Sequence, residues 1–114
     1  MPSYTQFAPC IQTNASGTGA TTILAASGNG AIYRDLVSLV ITTVNAAAAT
    51  LTISDGTKTV MVLNYPNAAS APTTPLALQF CDVPLGQSKP NAAWTITPSA
   101  NSSGFNITAQ YTER

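Results

Sequence analysis

The side chains that could carry chemistry are few. The acids are Asp35, Asp55, Asp82 and Glu113, the bases Arg34, Lys58, Lys89 and Arg114, the thiols Cys10 and Cys81, and there is no histidine. Without histidine, neither a Ser-His-Asp triad nor a Cys-His pair can be built. Two carboxylates could share an acid–base task of the glycosidase type, but three of the four have simpler employment. Asp55 precedes Gly56 in a turn, Asp35 stands beside Arg34 and is expected to pair with it, and Glu113 lies at the chain end. Asp82, next to Cys81, has no partner that the sequence names. A nucleophilic thiol needs a basic neighbour to lower its pKa, and neither cysteine has one. The cysteines lack CxxC spacing, which argues against a zinc or redox site. Buried free thiols are expected, with a disulfide tying the N-terminal arm to the body as the alternative. Calcium would need an oxygen cluster, and no acidic cluster is present. The chain is therefore expected to be no enzyme, with no catalytic residue, cofactor or metal.

Charge is sparse and balanced. Charged residues make up 7% with a formal net charge of zero, against roughly 25% in an average soluble protein. No cluster of Lys and Arg exists to displace counterions from nucleic acid or to hold an anionic membrane surface. The most apolar run, "DLVSLVITTV", is far shorter than a membrane span. The opening "MPSYTQFAPC" lacks the basic and then apolar pattern of a secretory signal. The expectation is a chain made in the cytoplasm and not secreted, so that the acceptor patterns at Asn14, Asn101 and Asn106 are chance matches. Low charge with no net charge suits a protein that meets a neighbour, because few charges must be desolvated.

The elements that would position these residues read as strands. Residues 1–20 lack a period and contain two prolines and a Gly/Ser/Thr/Asn cluster, so they read as an N-terminal arm and loop. A single domain follows over 21–114. Strand candidates are 21–27, 31–44, 50–54, 59–65, 76–83, 92–98 and 105–113, chosen by alternation and by β-branched and aromatic content. The run 31–44 is apolar on both faces and is expected to be a central strand covered on both sides. In "TLTISDGTKTVMVLNY", Asp55-Gly56 is expected to make a two-residue hairpin turn. Leu51, Ile53, Val60 and Val62 are expected to face the core, while the threonines form an uncharged face able to meet another subunit. Loop 66–75 carries three prolines. Seven or eight short strands without a helix predict an all-β fold, a seven- or eight-stranded antiparallel β-sandwich, jelly-roll or Greek-key-like, with an extended N-terminal arm.

The aromatics divide by context. Trp94, Phe105 and Tyr111 run in phase with apolar neighbours, which predicts core packing. Tyr4 and Phe7 lie in the irregular arm and need a surface to bury against, the domain's own or a neighbour's. An exposed Trp94 or Tyr33 beside a polar groove would instead favour a carbohydrate-binding or adhesive β-sandwich. The interface residues expected are Tyr4, Phe7, Ile11, Arg34, Asp35 and Pro72.

The order of parts in "QFAPCIQTNASGTGATTILAASGNGAIYRDLVSLVITTVNAAAATLTISDGT" resembles small virion proteins of tailed bacteriophages, and among them capsid decoration (cement) proteins. The corresponding parts are the arm Gln6 to Thr13, the strand Arg34 to Asn45, the alanine-rich turn Ala46 to Ala49 and the hairpin Asp55 to Thr57. The resemblance implies a β-rich protein, often a homotrimer, on the outside of the capsid of a virion. There it would clamp neighbouring copies of the major capsid protein. It carries over no catalytic or ligand-binding residue. A tail- or fibre-associated structural protein has the same general character.

Overall fold

A computed structural model of the chain describes residues 10–15, 19–43, 49–65, 76–80, 84–99 and 105–114. The strands are β1 (Cys10–Ala15), β2 (Thr21–Leu24), β3 (Arg34–Thr43), β4 (Ala49–Ser54), β5 (Thr59–Tyr65), β6 (Leu76–Gln79), β7 (Trp94–Pro98) and β8 (Phe105–Glu113). There is no helix among the described residues. The strands form two antiparallel sheets of four, in the orders β1-β8-β3-β6 and β2-β7-β4-β5. Both sheets send side chains into one core. Leu36, Leu39, Ile41, Ile107, Ala109 and Tyr111 come from the first, and Ile23, Leu24, Leu51, Ile53, Trp94 and Ile96 from the second.

Most expected strands are present, with trimmed ends. β5 and β8 have the expected bounds, whereas β2 stops at Leu24, β6 at Gln79, and β3 and β7 begin only at Arg34 and Trp94. The reading of residues 1–20 as arm and loop is corrected over Cys10–Ala15. This segment is a strand paired residue by residue with β8, from Cys10 opposite Gln110 to Ala15 opposite Phe105. Its apolar content is too low to announce a strand, and the long partner β8 supplies the ladder.

β3 is central, between β8 and β6, as expected. Only one of its faces is fully covered: Leu36, Leu39 and Ile41 are buried, while Val37 and Val40 are half-buried. Leu36 and Leu39 are three residues apart, which would put them on opposite faces of a regular strand. A bulge between Leu36 and Ser38 absorbs the odd residue and lets both face inward. The same device lets the consecutive Ile23 and Leu24 both be buried, with a register shift between Thr22 and Leu24.

The β4–β5 hairpin corrects two expectations. Asp55 N donates to Lys58 O at 3.1 Å, so the tight loop centres on Gly56 and Thr57 rather than on Asp55-Gly56. The inward positions of β5 are Met61 and Leu63, opposite Ile53 and Leu51, and Val62 points out with 57% exposure. Val60, the extra residue at a register shift in this hairpin, packs against the core as expected, and the insertion reverses the phase beyond it, which turns Val62 outward.

Gly56 has φ of 96° and a close neighbour. A Cβ there would stand 2.6 Å from Ala93 O and 2.7 Å from Ala92 Cβ. A side chain meets both the left-handed penalty and a backbone atom that cannot rotate away. Gly56→Ala is expected to cost about 2–3 kcal/mol in a urea denaturation. An unchanged midpoint would show that the turn can shift away from Ala93.

Candidate functional site

The antiparallel order sorts the molecule into two ends. The β2–β3, β4–β5 and β6–β7 connections and the C-terminus leave from one of them. Every described charged residue lies at that end: Arg34 and Asp35 at the start of β3, Asp55 and Lys58 in the hairpin loop, Lys89 before β7, Glu113 at the end of β8 and Arg114 just after it. Asp82 belongs to the β6–β7 connection but lies outside the described residues.

Among these residues, Arg34, Asp35, Asp55 and Arg114 are tied into a polar network with Gln87 at its hub. The buried Gln87 Oε1 accepts from Arg34 N at 2.9 Å, and its Nε2 donates to Asp55 O at 3.0 Å and Ala92 O at 2.6 Å. Its backbone N donates to Asp35 Oδ1 at 2.8 Å, and its carbonyl accepts from Arg114 at 3.2 Å. This one residue, through its side chain and backbone, thereby ties the β6–β7 loop to β3, to the hairpin tip and to the chain end. Nothing in "PLGQSKPN" distinguishes this glutamine from a solvated loop residue, and the sequence reading missed it.

Asp55 is fully buried and receives four donors. Oδ1 accepts from Thr57 N and Lys58 N, both at 2.9 Å, and Oδ2 from Ser88 N at 2.9 Å and Ser88 Oγ at 2.5 Å. Burial by itself raises the pKa of the carboxyl. The hydrogen bonds from the Ser88 hydroxyl and from the backbones of Lys58, Thr57 and Ser88 outweigh it and lower the pKa from 3.8 to about 2. The turn role expected of Asp55 is thus present, together with a second role, the anchoring of Ser88.

The expected Arg34–Asp35 pair is replaced by two others. Arg34 Nε meets Glu113 Oε2 at 2.9 Å, and Arg114 Nε meets Asp35 Oδ2 at 2.6 Å. Adjacent residues on a strand point to opposite faces, so a cross-strand partner on β8 is nearer than the sequence neighbour. Each arginine also covers a ring: Arg34 lies 4.8 Å from the Tyr111 centroid and Arg114 lies 4.1 Å from that of Tyr33.

Of the expected interface residues, Ile11, Arg34 and Asp35 are described, in two separate places. Ile11 is half-buried against the core, and Arg34 and Asp35 are engaged inside the subunit at the charged end, Asp35 with 5% exposure. Tyr4, Phe7 and Pro72 lie outside the described residues, as do Cys81, the Cys10 side chain and the bulk of the arm. Trp94 is fully buried, its indole N–H donating to Arg34 O at 2.7 Å, and Tyr33 is half-buried under Arg114. Neither offers the exposed platform on which a sugar would stack.

Among the described residues, the outward faces of both sheets are free of charge away from the end where Asp35 and Arg114 pair. On β2-β7-β4-β5, one row runs Thr22, Thr95, Ser54 and Thr59, and the next runs Thr97, Thr52 and Val62. On β1-β8-β3-β6, one row runs Gln12, Thr108, Val40 and Ala77, beside Gln110, Ser38 and Gln79. Ser38 Oγ donates to Gln110 Oε1 at 2.8 Å, so part of this surface is already cross-linked by its own hydrogen bonds. Such faces have short polar groups that a neighbour can meet without desolvating an ion. Among the described residues no three His, Cys, Asp or Glu side chains gather as a metal site, and no helix is long and apolar enough to cross a membrane. Comparison with known proteins found no matching family model, no matching curated protein and no matching solved structure.

Proposed function

We propose that this chain is a structural protein of a tailed-phage virion, a head decoration protein that binds the outside of the capsid and bridges major capsid proteins. The observation carrying this reading is the pair of outward sheet faces that, among the described residues, are uncharged away from the one end to which the charges are drawn. A protein that works by adding buried area between neighbours needs surface of this kind and needs no reactive group.

The strand pairing supports the architecture that goes with this role. β1 pairs with β8, β2 with β7, β3 with β6 and β4 with β5, all antiparallel. This is one long hairpin with the β4–β5 loop at its tip, rolled so that successive pairs fall alternately into the two sheets. We read it as a jelly-roll sandwich, an architecture used by viral capsid domains and also by lectins. The fold therefore does not choose between these uses, and the buried Trp94 weighs against the sugar-binding one. The reading keeps residues 1–9 as an arm that reaches a neighbour through Tyr4 and Phe7, and a homo-oligomer, which the resemblance gives as a trimer.

Two measurements test it together. Size exclusion with light scattering is expected to give a multiple of the 11.7 kDa chain, and a glycan array is expected to give no hits. A monomer that binds a defined glycan would overturn the proposal in favour of the carbohydrate-binding alternative.

A further inference from the structure

The outer edge of β5 has no partner strand among the described residues. β5 pairs with β4 on one side, and no described residue pairs with it on the other. Exposed edges are ordinarily blunted by brevity, charge or proline. Of the four sheet edges, β2 and β6 have four residues each and β1 six, whereas β5 is the longest with seven, and carries neither charge nor proline. At its midpoint stands Val62, 57% exposed and the one large hydrophobic so exposed among the described residues.

We propose that β5 pairs antiparallel with β5 of a second copy of this chain, about a two-fold axis at Val62. The sequence "TVMVLNY" is self-complementary about that point. Val62 meets Val62 of the second copy on the outward face, and Met61 and Leu63 meet Leu63 and Met61 on the inward face, where they already flank the core. A one-residue slip sets outward Val62 against inward Leu63 and mismatches every pair. A two-residue slip sets it against Asn64 in one direction. In the other it meets Val60, which the bulge removes from the regular ladder. The central register alone matches the exposed valine with its like. The contact is isologous and closed, and it joins the two β2-β7-β4-β5 sheets into one eight-stranded sheet with a continuous threonine face. This pairing needs nothing from the virion reading.

Light scattering of the purified chain is expected to give twice the 11.7 kDa chain mass or an even multiple of it. Val62→Lys places a charge at the centre of the edge and is expected to weaken the association by about tenfold or more. Its far-UV circular dichroism should be unchanged, because position 62 is exposed. Val62→Cys is expected to oxidise to a covalent dimer whose linked peptides map to position 62, a link absent from the wild type. Directly opposed Cα atoms in an antiparallel pair lie about 4.5–5.5 Å apart, within disulfide reach. A monomeric wild type, a trimer, or no cross-link at position 62 would each overturn the pairing.

Discussion

Trp94→Ala is expected to lower stability by about 4 kcal/mol, the largest loss from any single substitution considered. The indole is fully buried in the core shared by both sheets, and truncating a buried Trp to Ala typically costs about 3–5 kcal/mol through lost transfer energy and the cavity left behind. It also carries a polar function, since its N–H satisfies Arg34 O at 2.7 Å where β3 enters the sheet. Trp94→Phe separates the two contributions. It keeps most of the apolar volume and leaves the Arg34 carbonyl without that donor, at an expected cost of about 1–2 kcal/mol. Denaturation followed by far-UV circular dichroism reads both variants, because the tryptophan signal is lost. Equal losses for the two would assign the whole effect to the hydrogen bond.

Asp55→Ala is expected to cost about 3 kcal/mol at neutral pH. It strips four donors of their acceptor at a fully buried position, and unsatisfied buried donors cost about 1–3 kcal/mol each before relaxation or hydration. The pH dependence gives an independent reading. The folded pKa of about 2 lies below the ordinary 3.8. The carboxylate's contribution is therefore complete above about pH 4 and is lost as pH falls through 2. The difference corresponds to about 2 kcal/mol. The wild type should lose that much stability between about pH 4 and pH 2 beyond what Asp55→Ala loses over the same window. Parallel pH profiles for the two proteins would remove Asp55 from the acid sensitivity of the fold. The network then would act through Gln87 and Ser88 alone.

How far the site was readable follows from where its information sits. β8 is readable throughout because Ile107, Ala109 and Tyr111 alternate with Asn106, Thr108 and Gln110, and the strand has no register shift that disturbs its own phase. β5 misled because both parities are apolar, Val60 and Val62 on one and Met61 and Leu63 on the other. Only the bulge against β4 selects between them. The ion pairs misled for a similar reason: proximity in sequence favoured Arg34 with Asp35, while the cross-strand ladder to β8 brings Glu113 and Arg114 within reach. Gln87 was invisible because its five partners come from four separate segments.

By itself the sequence determined the fold class, the scarcity and balance of charge, and the lack of any histidine-dependent chemistry, since these depend on composition and on local alternation. Tertiary structure decided which apolar phase of β5 faces inward, which acid meets which base, and that the described charges gather at one end. Those outcomes depend on bulges and on pairings between residues as many as 79 positions apart, and local sequence carries no energy term for a contact at that range.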